Sequence, residues 1–332
     1  QKDLWGYMAE VFITWCRRGV DGFRCDAGYM IPQAAWKYIV ARVRDQYPDT
    51  VFLLEGLGGK ISVTRELLNT ANLNWAYSEL FQNYDRRQIE HYLPEAIDIS
   101  ARDGICVHFA ETHDNPRLAA HSREYARLRT ALCALFSQQG GFGFANGVEW
   151  FATEKINVHD APSLNWGSES NQVDHIRRLN HLLMGHCAFH DETDLSMVQE
   201  EDGNYMVLMR HHRPSAKKLL IVVNLDDKNA TRAFWDPAAT GIKDRTFSDL
   251  LSGGEIRIDR SAPYCTLRLE PAQVLCLSPE PADLLVLEDL PDFSFALPDR
   301  MEHQRLRAKA LEVFTYLKGY QDLGSFDPDH AI

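Results

Sequence analysis

The chain has 332 residues, 45% of them hydrophobic, and 47 acidic against 35 basic residues give it a net charge of −12. That composition excludes wholesale disorder and supplies a core for two or three domains. An acidic chain without a Lys/Arg block or an aromatic-basic stripe excludes tracking of a phosphate backbone, so a neutral ligand fits better than nucleic acid.

The predicted elements begin with a helix over residues 4–18, placing Leu4, Met8, Val11, Phe12 and Trp15 on one face, with Gly19 as its stop. A short strand runs toward Asp26, and a helix follows from Pro32 to about Gln46, with Pro32 suited to its first turn. The strand TVFLLE and the helix SVTRELLNTA repeat the cycle. NWAYSELF, the helix DRRQIEHYLPEAI, the strand GICVHFAE and the helix SREYARLRTALCALFSQ continue it. FGFANGVEWF supplies a last strand, and the helix NQVDHIRRLNHLLMG closes the region near residue 190.

Alternating helices and near-continuous apolar strands predict a parallel sheet, here the last five strands of a partial (β/α)8 barrel over residues 1–190. Eight strands close such a barrel, so about three units would precede Gln1. After residue 190 the period changes. YMVLMRH, KLLIVVNLD, TFSDLLSG, EIRIDR and TLRLEPAQVLCLS, separated by turn residues, predict an antiparallel β-sandwich over 191–279. Residues 280–332 read as a Pro-, Leu- and Asp-rich linker followed by a helix from about Arg300 to Lys318.

Seven scattered cysteines, an odd number with no CxxC pair, read as buried thiols in a reducing, cytoplasmic compartment. No apolar run approaches the roughly 20 residues of a membrane span. Neither zinc nor an organic cofactor is indicated.

Three acids end apolar strand-like runs: Asp26 in VDGFRCDAG, Glu55 in TVFLLEGLGG and Asp114 in VHFAETHDNPR. They stand 29 and 59 residues apart, close to one and two strand-plus-helix units of roughly 31 residues, which brings all three to the C-terminal mouth of a barrel. Cleaving a glycosidic bond with retention needs two carboxyl groups about 5 Å apart, one attacking the anomeric carbon and one protonating the leaving oxygen. Arg24 keeps Asp26 ionised and oriented as a nucleophile. Apolar surroundings suit Glu55 to proton delivery, and Asp114 beside His113 suits a grip on sugar hydroxyls.

GVDGFRCDAG, FLLEGLGG and AETHDNPR resemble, in order, the second, third and fourth conserved regions of the α-amylase superfamily, glycoside hydrolase family 13. The resemblance covers roughly residues 1–279. It implies Asp26 as nucleophile, Glu55 as acid/base and Asp114 as transition-state stabiliser, with Arg24 and His113 orienting substrate. GFANGVE, ending in Glu149, resembles the later region after the eighth strand. Tyr29, Asn115, Arg117 and Glu149 complete the expected substrate contacts, and an α-glucan or maltooligosaccharide is the implied partner. Oligomeric state is left open.

The departures also matter. The family's first conserved region would lie before Gln1, together with a sugar-contacting His and, in many members, a calcium-ligating Asn, so calcium is an open expectation for a longer parent protein, with its usual ligands partly outside this chain. Tyr29 and Met30 stand where many α-amylases have Lys-His. ATEKINVH resembles the Ser-Glu-Lys-Tyr word of bacterial maltosyltransferases, but Ala27-Gly28-Tyr29 replaces their Asn-Pro-His. Glu154, Lys155 and His159 read more readily as a solvated loop than as sugar contacts. Trp75 and Tyr77 read as core aromatics, and Trp166 as a loop aromatic. Hydrolysis by double displacement is the leading expectation. Transfer to a sugar or phosphate acceptor is the first alternative, and a catalytically incomplete or merely glucan-binding fragment is the second.

Overall fold

The computed structural model describes residues 2–139, 141–157, 164–261, 263–287, 299–319 and 325–332. His159 and residues 288–298 of the expected linker lie outside them.

Helix α1 (Lys2–Arg17) leads into β1 (Gly22–Cys25). Gly19, at φ 97°, turns the chain between them as its N–H reaches the Cys16 carbonyl at 2.9 Å. Then come α2 (Gln33–Arg44), β2 (Val51–Leu54), α3 (Ile61–Asn69), β3 (Trp75–Tyr77), α4 (Arg86–Arg102) and β4 (Ile105–Val107). The four strands pair in parallel in the order β1-β2-β3-β4. A capping box of Asp85 and Gln88 starts α4, and Ser122 caps α5 (Arg123–Leu135). Helix α6 (Val173–Gly185) ends this half.

The sheet buries its alternate residues. Cys25, Phe52, Leu54, Ala76 and Cys106 are buried and pack with α1–α4, whereas Arg24, Leu53, Tyr77 and Val107 line a cleft on the opposite face. FGFANGVEWF does not form the expected fifth strand. Phe142 makes one parallel bridge to His108, after which residues 146–151 turn, because Gly141, Gly143, Asn146 and Gly147 interrupt the extended run.

The face expected of α1 is also different. Ala9, Ile13 and Cys16 are buried with Phe12 beside them, while Leu4, Met8 and Trp15 are exposed together with Tyr7. Apolar residues surround most of this helix, so periodicity alone did not select the face that α2 and the sheet cover.

The C-terminal half is antiparallel. Strands β5 (Thr193–Met197), β6 (Tyr205–His212), β7 (Lys218–Asn224), β9 (Thr246–Asp249), β10 (Glu255–Arg257) and β13 (Val274–Ser278) form one sheet in the order β10-β9-β13-β7-β6-β5. Strands β8 (Thr231–Trp235), β11 (Asp259–Ser261) and β12 (Tyr264–Leu269) form the other, with the short α7 (Pro237–Thr240) following β8. Both faces of β6 and β7 are covered. Met206, Leu208, Leu219 and Ile221 join the core of α5 and α6, and Tyr205, Val207, Leu220 and Val222 face the smaller sheet. After β13 the chain makes a 3-10 turn over Pro281–Leu287, and α8 (Asp299–Lys318) is the last helix.

All seven cysteines are free, and six are buried. No helix among the described residues is long and apolar enough to cross a membrane.

Candidate active site

Strand register places the first two acids. Cys25 pairs with Leu54 as the last registered position of β1 and β2, and Asp26 and Glu55 are the next residues on the two strands. The ladder continues past them, with Glu55 N–H donating to the Cys25 carbonyl at 3.0 Å and Gly28 N–H to the Glu55 carbonyl at 3.1 Å. Neighbouring strands lie about 4.8 Å apart. The two carboxylate-bearing residues are therefore side by side at the C-terminal edge of the sheet.

Each carboxylate is held differently. Asp26 Oδ1 pairs with Arg24 Nη1 at 2.5 Å, and its side chain is 78% exposed. Arg24 lies 5.7 Å from the Tyr77 ring centroid. Partial burial lowers the affinity of the Arg24 guanidinium for its proton, but the hydrogen bond to Asp26 and the charges of Tyr77 and Asp26 outweigh it, and the net shift is upward. Glu55 is held by main chain. Ala27 N–H donates to Oε2 at 2.7 Å and Leu57 N–H to Oε1 at 2.8 Å. Glu79 fixes the adjoining turn by accepting from Gly58 N–H at 2.8 Å. Two amide donors thus orient this acid.

The third acid arrives on a loop after β4. Thr112 Oγ1 accepts from Asp114 N–H at 3.1 Å and donates to Asn115 Oδ1 at 2.5 Å. His113 Nε2 lies 3.4 Å from Asp114 Oδ2, and the Asp114 side chain is 78% exposed. Beneath them Glu111 and Arg117 form a buried ion pair, Oε1 to Nε at 2.9 Å. That approach lacks hydrogen-bond alignment, and Arg117 Nη1 has no hydrogen-bond partner. Glu111 Oε2 accepts from Leu118 N–H at 2.6 Å. Burial pushes the Glu111 carboxyl above its ordinary value, against the pull of the Leu118 N–H and Arg117, and burial raises Glu149 likewise.

The cleft has a volume of about 410 Å³. It brings Arg24, His113 and Asp114 together with Tyr77, Leu57 and Phe144. Asp26 and Glu55 are not among its lining residues; each is bonded to one that is, Asp26 to Arg24 and Glu55 to Leu57 N–H. Tyr77 is thus part of the cleft wall rather than core, whereas Trp166 is not among the lining residues.

The other expected contacts separate from the cleft. Arg117 does not line the cleft: its side chain is buried against Glu111, with Nη2 donating to the Asn146 carbonyl at 2.7 Å. Tyr29 packs against Gly59 and does not line the cleft. Asn115 lines a second cavity, of about 520 Å³, that reaches Asn204 and Asp227 of the sandwich. Glu149 accepts from Gly147 N–H at 2.9 Å and faces α6. Glu111 was missed by the sequence reading; its only signal is a carboxylate inside the apolar run VHFAE. No group of three or more His, Cys, Asp or Glu able to hold a metal ion occurs among the described residues.

No family model matches the sequence. The chain is similar to the alpha-1,4-glucan:maltose-1-phosphate maltosyltransferase of Cereibacter sphaeroides, with 27% identity over 239 residues that cover 68% of this chain and 39% of that protein. It is 24% identical over 254 residues to the protein of the same name from Chlorobaculum tepidum, covering 70% of this chain and 37% of that one. The chain therefore spans little more than a third of these curated relatives. Among solved structures, a maltogenic α-amylase from Thermotoga neapolitana aligns with a TM-score of 0.68 at 18% identity, covering 84% of this chain and 66% of that one. An Anoxybacillus α-amylase aligns with a TM-score of 0.64 at 15% identity, over 84% and 64%.

Proposed function

We propose, from the premise that this chain has the α-amylase family fold, that it carries the acids of an α-glucan-active enzyme transferring a maltosyl unit by double displacement. The observation that carries the chemistry is the juxtaposition of Asp26 and Glu55 on adjacent parallel strand ends, joined through Ala27 N–H. Strand spacing of about 4.8 Å suits the roughly 5 Å carboxyl separation of a retaining reaction. Asp26, paired with Arg24, attacks the anomeric carbon. Glu55 protonates the leaving oxygen and then takes the proton of the acceptor. Asp114 and His113 hold the sugar hydroxyls as positive charge develops on the ring.

The preference for transfer rests on the curated relatives, whose names give maltose 1-phosphate as donor and an α-1,4-glucan as acceptor. Water as acceptor is the second reading, favoured by Ala27-Gly28-Tyr29 after the nucleophile in place of the maltosyltransferase word. Incubating the purified protein with maltose 1-phosphate, with and without maltohexaose, separates the two. Acceptor-dependent phosphate release with chain extension supports transfer. Maltohexaose cleavage without any use of maltose 1-phosphate supports hydrolysis, and neither activity counts against both.

A further inference from the structure

We propose that Glu111 and Arg117 are positioning residues: their buried ion pair closes the base of the loop 111–118 and sets where His113 and Asp114 stand over the cleft. The inference rests on the reading of Asp114 as a working carboxylate.

The loop is tied at both oxygens of one side chain. Glu111 meets Arg117 Nε through Oε1 and Leu118 N–H through Oε2, so a single carboxylate draws together two residues six and seven positions further on. Its side chain is 4% exposed and that of Arg117 is 0% exposed. Both are held in place by burial, although Glu111 is also among the residues that line the cleft. Inside the closed loop, Thr112 fixes Asp114 N–H and Asn115, leaving the His113 and Asp114 side chains 39% and 78% exposed at its crown.

Arg117 extends the clamp to a second wall. Its Nη2 holds the Asn146 carbonyl at 2.7 Å, next to Gly143, Phe144 and Ala145 that line the cleft. There is no room for slack at that contact: a Cβ on Gly147 would sit 2.4 Å from Nη2. Two cleft walls thus share one buried cation, and moving it displaces both. A displacement of about 1 Å in a reacting geometry lowers rates by about a hundredfold.

A merely structural pair and a positioning pair differ in what a neutral replacement does. Glu111→Gln keeps the shape and one carbonyl acceptor but loses the charge. The expected result is a 10- to 100-fold fall in kcat with KM within threefold, and a cooperative thermal melt. Combining Glu111→Gln with Arg117→Met removes both buried charges; melting recovers toward wild type while kcat does not. If Glu111→Gln does not fold, Arg117→Lys, which keeps the charge but loses the Asn146 contact, should fall about tenfold in kcat on its own. In an Asp114→Asn background, Glu111→Gln should add less than threefold, because both act through one carboxylate. Wild-type kcat in Glu111→Gln or Arg117→Lys, with Asp114→Asn strongly impaired, overturns the clamp and leaves the proposed chemistry standing. Full activity in Asp114→Asn overturns the role of Asp114 and the clamp with it.

Discussion

The main-chain N–H of Ala27 meets the Glu55 carboxylate at 2.7 Å, so the residue that follows one candidate acid orients the other. Ala27 achieves this at φ 44°, a left-handed conformation that side chains other than glycine seldom adopt. A β-branched residue tolerates it least. Ala27→Val should lower stability by about 1–2 kcal/mol and reduce turnover about tenfold by moving the N–H off Glu55. Ala27→Gly should stay within about 1 kcal/mol of wild type, since relieved strain and added chain entropy offset each other. Urea midpoints with parallel rate measurements check both, and a fully stable, fully active valine variant would count against the link.

Assigning Glu55 as acid/base has a consequence for leaving groups. A good leaving group needs no proton, so Glu55→Gln should lose about a thousandfold or more in rate on maltooligosaccharides but far less in the first step on α-maltosyl fluoride. The glycosyl-enzyme should then accumulate on Asp26, visible by mass spectrometry of the intact protein. Asp26→Asn should be inactive on both substrates. Equal losses on the two substrates would remove Glu55 from the acid's role.

Which parts of this site were legible follows from physical range. Asp26 and Glu55 were readable because a parallel strand pair sets their proximity by register, and register follows from apolar runs of similar length one unit apart. The burial of Arg117 was not legible because adjacency to Asp114 in sequence carries no information about it. Its environment is made by Glu111 and by Asn146, which lies 29 positions away. Tyr77 and the buried face of α1 were misassigned for a common reason: an aromatic or apolar residue satisfies either side of a sheet or helix, and the partner decides. The five-strand count failed where one bridge at Phe142 replaced a strand, since the Gly and Asn residues after it interrupt pairing that the apolar composition favoured.

Asp283 should make stability acid-sensitive. It is 2% exposed, accepts from Ser278 Oγ at 2.6 Å, pairs with Lys217, and lies 3.1 Å from His186 Nε2 at the end of α6. Burial alone would raise its carboxyl, but the bonds to His186, Lys217 and Ser278 prevail and hold it well below its ordinary 3.8. A carboxylate depressed in the folded state contributes stability that is present above its unfolded value and is lost as pH falls through the folded one. Asp283→Asn should therefore cost about 1–3 kcal/mol at neutral pH by removing the carboxylate that bonds Ser278 and Lys217. The gap to wild type should hold steady from pH 7 to 5 and narrow only below about 3.8. Denaturation midpoints across that range check it, and a gap that narrows already between pH 7 and 5 would point to a different group.

Arg210 joins the two halves of the chain and should be the most costly single position at that joint. It lies on β6 in the sandwich, is fully buried, and donates through Nε to the Ala188 carbonyl at 2.7 Å. Nη1 donates to the Leu135 and Ser137 carbonyls at 2.8 and 2.7 Å. These last two belong to the end of α5, where a helix leaves its carbonyls without internal partners and a cation is favoured. The guanidinium also lies 4.2 Å from the Phe189 ring centroid, so planar shape matters as well as charge. Arg210→Leu would leave three buried acceptors unpaired at about 1–3 kcal/mol each, and the loss should reach about 3 kcal/mol or more. Arg210→Lys should recover only part of it, because a point charge neither spans three carbonyls nor stacks on the ring. Hydrogen exchange distinguishes this joint from a local contact: protection should fall together in α5 and in β6, on opposite sides of the shared core. Loss confined to β6, or a leucine variant within 1 kcal/mol of wild type, would show that the apolar core alone holds the halves together.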